Sequence, residues 1–303
     1  MAAQFPAEQT ADGEFRRQRD AFRGKLSAPA EAGRYHLCIS LACPWAHRAL
    51  IARNLKGLQD AVSVGVVDPV RDERGWAFCD EDVRDPATGF RFLSEAYLAT
   101  DPGYSGRVTV PVLWDKQTRR IVNNSEDDIC RMFNDDFAEC ADPGVDLFPH
   151  DIAAEHAELA RFIHDNINDG VYRAGFATSQ DVYEKNCRDL FAALDTLDGR
   201  LASGRYLFGP RIVEADWRLF CTLVRFDAVY HGHFKCNLRR IADYGNLSRH
   251  LLDLYSVPGI AETVNFDHIK RHYYVTHAEI NPTQIVPLGP VFDFVRAPEM
   301  QVA

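Results

Sequence analysis

Residues 34–67 read RYHLCISLACPWAHRALIARNLKGLQDAVSVGVV, and their periodicities decide the first part of the fold. RYHLCIS alternates as a strand does. CPWAHRALIARNLKGL carries apolar residues at helical spacing and closes on a glycine, and AVSVGVV reads as a second strand. Strand, helix and strand in that order make a βαβ unit. Downstream, RVTVPVLWD and RRIVNN form a strand pair joined by the polar DKQT turn. SEDDICRMFNDDF then reads as a helix with acids in its first turn. Residues 33–141 are therefore a first domain of order β-α-β, then β-β-α. The stretch from Asp68 to Gly106 is too long for a simple crossover and reads as an insertion.

Beyond the ADPGVDLFPHD linker the pattern turns helical. IAAEHAELARFIHDNIN, QDVYEKNCRDLFAALDTLDGRL, EADWRLFCTLVRFDAVY and RRIADYGNLSRHLLDLYSVPG define a second, all-helical domain over residues 150–275. Residues 1–32 are polar with mixed charge and read as an N-terminal extension lying on the surface, so ordered structure is expected from Gly33. The segment KRHYYVTHAEINPTQIVPLGPVFDF is Pro-rich without helical spacing, and the chain is expected to finish as an extended tail, residues 276–303.

With 303 residues and 46% hydrophobic content, the chain has material for two cores. A net charge of −10 argues against a nucleic-acid partner, which requires a basic face, but leaves room for a local basic pocket. No apolar run has the length of a signal peptide or a membrane span, so the expectation is a soluble cytoplasmic protein. Its eight cysteines are scattered without a CxxC pair, and reduced thiols are the default.

Cys43 stands immediately after a strand, with Pro44 in the first position of the following helix. Unpaired amides and the helix dipole favour a thiolate there, and the thiolate is the reacting form of cysteine. In a dithiol reductase a second cysteine would follow three residues later, where this chain has Ala46. A lone thiol forms a mixed disulfide that only an external thiol resolves, which implies a small-thiol cosubstrate. Pro111 interrupts TVPVL and cannot donate to a ladder. It is either a cis-proline facing a site or part of an edge strand, and both readings stand.

CPWAHR, GRVTVPVLWD, EADWRLF and HYYVTHAEINPTQIVPLGP together resemble the glutathionyl-hydroquinone reductases, the Xi class of glutathione transferases, which are Omega-like. The resemblance runs from about Phe22 to near the C-terminus. It implies a thioredoxin-like N-terminal domain, an all-helical glutathione-transferase C-terminal domain and a homodimer. It also implies a thiol-dependent oxidoreductase that strips glutathione from conjugated hydroquinones. In that chemistry Cys43 takes the glutathionyl group and a second glutathione releases it. The matching positions for the thiol are Trp76 as a cover, Arg107 for a carboxylate and the Val110 main chain for strand-like pairing. Tyr172 and Tyr273 match the family's aryl-site phenols, with Tyr274 adjacent.

One departure concerns the γ-glutamyl end of the thiol. The family carries Glu then Ser after the fourth strand, whereas this chain has Ser125 then Glu126. A thiol without a γ-glutamyl group, such as mycothiol, fits that transposition. Two further readings remain at this stage: a conjugating transferase without a covalent step, and a non-catalytic binding module. Asp216, three residues after Val213, reads as a structural cap and Trp217 as core. The HGH of His231 and His233 lacks companions at ligand spacing, which argues against a metal site. The other cysteines, Cys38 included, read as small buried apolar residues.

Overall fold

The computed structural model describes residues 8–26, 30–78, 84–137 and 139–292. Its N-terminal domain is built on a four-stranded sheet of order β2-β1-β3-β4. β1 (Tyr35–Ile39) is buried along its whole length, as a strand covered on both faces must be. It pairs in parallel with β2 (Val62–Val66), Leu37 opposite Val64, and antiparallel with β3 (Val112–Asp115), Leu37 opposite Leu113. β4 (Arg120–Asn123) pairs antiparallel with β3. The expected βαβ-ββα order is observed, with α1 (Pro44–Leu55) packed beside α3 (Glu126–Asp135). The insertion contributes α2 (Leu93–Thr100), which packs on β4.

The Val110–Pro111 bond is cis. It immediately precedes β3, which lies inside the sheet between β1 and β4, so the edge-strand reading of Pro111 falls.

The second domain is helical throughout. α4 (Ala153–Ile163) runs through a π-helical turn, His164–Asn168, towards α5 (Gly170–Gly175). α6 (Gln180–Leu201) has the limits expected from its pattern. α7 (Glu214–Arg225) ends in a second π turn, Phe226–Tyr230, and α8 (Gly245–Tyr255) follows. Asp216 does cap α7, accepting from the Val213 amide at 3.0 Å, and it also holds the Leu207 amide and His250 at 2.9 Å each. Trp217 is buried, as expected of core.

Two expectations are corrected. The KRHYYVT stretch, read as extended, is helical: α9 (Phe266–Arg271) continues into a third π turn, His272–Thr276. Helical spacing was invisible because α9 is short and starts from a local signal, the Asn265 side chain accepting from the His268 amide at 3.0 Å. Only residues 277–292 are an extended tail, and residues 293–303 lie outside the described residues.

The N-terminal extension is likewise more than a surface segment, since ordered structure begins well before Gly33 and Phe15, Leu26 and Glu8 are buried. Arg23 bridges to Asn123, and the Gly24 amide donates to the Val122 carbonyl at 2.9 Å, so this strap closes the open edge of β4. Glycine is required at position 24, because a Cβ would come within 2.6 Å of that carbonyl oxygen. Two charges on the strap that composition marked as solvated have partners across the fold. Arg17 reaches Asp169 at 2.7 Å and Arg23 grips Asp128 through two nitrogens.

Candidate active site

Cys43 is the N-cap of α1, with Pro44 beginning the helix. The half-buried thiol donates to the Val110 carbonyl at 3.7 Å, so it faces the main chain at the cis-proline. Burial pushes the thiol above its ordinary value near 9, while the Ala46 amide, the Arg225 guanidinium and the Trp45 amide pull it down. The net lowering expected from the helix N-terminus is therefore overturned: in the open cleft, desolvation outweighs the dipole.

Arg225, buried on α7 of the other domain, fixes the loop before the cysteine. Its Nε donates to the Ala42 carbonyl at 2.8 Å, its Nη2 to Leu41 at 3.0 Å, and its Nη1 contacts His47 at 3.0 Å. No sequence motif points to this residue, because its role depends on the packing of α1 on α7.

The cleft beside Cys43 encloses about 290 Å³. Four arginines, Arg17, Arg19, Arg71 and Arg107, border it against two acids, Asp20 and Glu126. An acidic chain thus carries a locally basic pocket. Trp76 is buried at its wall, stacked 5.1 Å from His272 with Arg71 over the ring at 5.2 Å. Burial and the Arg107 charge lower Arg71 to about 9. Arg107 borders the cleft as its sequence position implied, but its Nη1 meets the buried Glu8 carboxylate at 2.8 and 3.0 Å.

Ser125 and Glu126 divide. Ser125 is a buried N-cap whose amide donates to Asn123 at 2.7 Å. Glu126 borders the cleft and is held by Arg48 at 3.0 Å. Arg48 also pairs with Glu214 at 2.5 Å, so the acid nearest the expected ammonium position already has its cation.

Tyr172 and Tyr273 come together at the cleft with hydroxyls 2.5 Å apart, and Tyr230 stands behind, 3.0 Å from Tyr273. Burial raises the pKa of all three phenols, so they are protonated donors at neutral pH. Tyr274 is not brought to the cleft. Its ring packs 4.9 Å from His233, because adjacent positions in the π turn face different ways. His233 itself contacts His277 at 3.3 Å. Among the described residues no three metal-ligating side chains gather, and no disulfide joins the seven cysteines; Cys79 lies outside them.

Sequence reasoning missed Arg17, which lies over the rings of Trp45 at 4.8 Å and Tyr172 at 4.7 Å, and with it Asp20, Arg71 and the pair His272 and His277. The alternation of Phe15 and Phe22 with charges on the strap was the available signal.

Residues 42–136 match the glutathione S-transferase N-terminal domain, and residues 180–252 match the C-terminal domain. A glutathionyl-hydroquinone reductase of Escherichia coli is 49% identical over 295 residues, covering 92% of this chain and 89% of the relative. The chain belongs to the Xi class of glutathione transferases, the glutathionyl-hydroquinone reductase family. A second such reductase, from Sphingobium chlorophenolicum, is 48% identical over 92% of this chain and 90% of its own. The glutathione-bound structure of a glutathione transferase homologue from Escherichia coli superposes with a TM-score of 0.87 at 48% identity, over 95% of this chain and 97% of that one. Membership explains the two-domain architecture. No helix among the described residues is long and apolar enough to cross a membrane.

Proposed function

We propose that this Xi-class chain is a thiol-dependent reductase that removes a glutathionyl group from conjugated hydroquinones. The Cys43 thiolate attacks the sulfur of the thioether. The sulfur–carbon bond breaks, the aryl carbon takes its electron pair and a proton, and Cys43 is left as a mixed disulfide. The thiolate of a second glutathione attacks that disulfide, releasing oxidised glutathione and regenerating Cys43. One free glutathione is consumed for each carbon–sulfur bond reduced, and both glutathionyl groups leave as the disulfide.

The observation that carries this reading is the juxtaposition in one cleft of a lone N-cap thiol, facing the Val110 carbonyl, with the protonated Tyr172–Tyr273 pair. The phenols are suited to donate to the aryl oxygens as charge develops on departure. Trp76, Arg107 and Val110 form the thiol-binding wall, and Ser125 acts through the start of α3. The relatives' names and the glutathione-bound neighbour support glutathione as cosubstrate. The tie between Glu126 and Arg48 is the one observation favouring another small thiol such as mycothiol. A homodimer in a reducing cytoplasm fits the family and the seven free thiols among the described residues.

The test is reduction of a glutathionyl-hydroquinone by glutathione with the wild type and with Cys43→Ser. The expected result is turnover that Cys43→Ser abolishes. Turnover surviving in Cys43→Ser would remove the covalent mechanism.

A further inference from the structure

The transposition of Ser125 and Glu126 leaves a specific vacancy: Glu126 is engaged by Arg48, so the usual acid no longer serves an ammonium group. The strap supplies another. Arg23 bridges antiparallel to Asn123, while the Phe22 amide donates to the Asn124 side chain at 2.8 Å and the Asn124 amide donates back to Phe22 at 3.0 Å. Three residues before Arg23 on the strap, Asp20 borders the same cleft as Cys43 and Glu126.

Three neighbouring arginines are engaged with other acids. Arg23 grips Asp128, Arg48 serves Glu126 and Glu214, and Arg218 serves Asp127 and Glu214. Burial, with a smaller push from the Glu126 carboxylate, raises Asp20 to about 6 against the pull of Arg23. Three acids fill the first turn of α3 beside it. This corner of a mostly cationic cleft therefore suits a positive group, whereas Arg71 suits a carboxylate.

We propose that Asp20 receives the ammonium of the thiol cosubstrate's γ-glutamyl group, taking over in the strap the role that the transposition removed from the start of α3. The proposal rests on the reductase reading and decides within it for an amino-bearing thiol such as glutathione over mycothiol, which has no free ammonium. Asp20 is thereby a specificity-determining residue and the strap a part of the binding site.

The experiment uses the full chain at pH 7.5. The rate of mixed-disulfide formation on Cys43 is read by intact mass with oxidised glutathione and with the disulfide of its des-amino analogue, glutaryl-cysteinylglycine. Wild type should prefer oxidised glutathione roughly tenfold, the size of one charge-assisted hydrogen bond. Asp20→Asn should bring the preference to about one, and Asp20→Glu should restore part of it. A merely structural Asp20 would lower both rates together and leave the preference intact, which would overturn the proposal. Equal rates in wild type would also overturn it while leaving the reductase reading standing. An adduct with neither disulfide in wild type would overturn the reductase reading itself, and the assignment of Asp20 with it.

Discussion

Arg225 Nε donates to the Ala42 carbonyl at 2.8 Å, so a helix of the second domain holds the residue directly before the candidate nucleophile of the first. The same guanidinium is among the groups drawing the Cys43 thiol pKa down against burial. One buried cation thus bears on both the position and the acidity of the thiol.

Replacing Arg225 by Met removes both effects. Alkylation of Cys43 by iodoacetamide in the wild type should keep rising beyond pH 9, because burial raises the thiol above that value. In Arg225→Met the profile should move further to alkaline pH, and stability should fall by about 3 kcal/mol as the Leu41 and Ala42 carbonyls lose a charged donor. Arg225→Lys, which keeps the charge, should lie between. An unchanged profile in Arg225→Met would separate Arg225 from the thiol's acidity.

Tyr172 and Tyr273 share a 2.5 Å hydrogen bond beside the cleft, and the mechanism uses them only when an aryl group departs. Tyr172→Phe and Tyr273→Phe should each lower kcat for glutathionyl-hydroquinones by about 10²-fold, the low end for a lost proton donor. Both should still form the Cys43 adduct with oxidised glutathione, whose leaving group needs no phenol. Equal losses in the two assays would indicate damaged packing instead.

The strap is anchored through the buried Glu8, which receives Arg107 at 2.8 Å and the Gln18 amide at 3.0 Å. In Glu8→Gln, hydrogen exchange at the Gln18 amide should accelerate by about tenfold, since a bond to a charged acceptor is weakened. Exchange in β1, buried in the sheet, should not change. Uniform acceleration across the chain would mean that Glu8 supports the whole fold rather than the strap.

Asp20 also has a stability signature. Its carboxyl is raised from 3.8 to about 6 by burial and the Glu126 charge, so the folded chain holds the proton more tightly than the unfolded one. The associated stabilisation is complete below about pH 3.8 and is lost as pH rises through about 6. Asp20→Asn should accordingly melt above wild type at pH 7.5 and show no such gain at pH 4. Parallel melting curves at both pH values would contradict this assignment of the charge.

The sequence discloses the elements whose signals are local. The alternation of RYHLCIS, the glycine after α1 and the long stripe of α6 are periodic and self-contained, and each lies where its pattern put it. Cys43 was singled out by its place at a helix start and Tyr172 and Tyr273 by the family resemblance, and the fold brings all three to one cleft. What stayed hidden depends on partners distant in the chain. Arg17 finds Asp169, Arg225 finds Ala42, and the charged strap looks solvated until β4 offers it an edge. Tyr274 differs from Tyr273 only through the π turn, which sequence spacing does not encode. The thiol's acidity was misjudged because a helix start is visible in sequence and desolvation is not.

The central claim is that Cys43 alone accepts the thiol group from the conjugate. It is tested most directly by mixing the protein with one equivalent of a glutathionyl-hydroquinone in the absence of free thiol, then measuring intact mass and mapping the peptides. The account predicts one glutathionyl group on Cys43, matched by an equal amount of released hydroquinone, and no adduct on the other cysteines. Parallel incubation with mycothiol disulfide should leave Cys43 unmodified. Hydroquinone released without a Cys43 adduct, or the adduct on another cysteine, would contradict it.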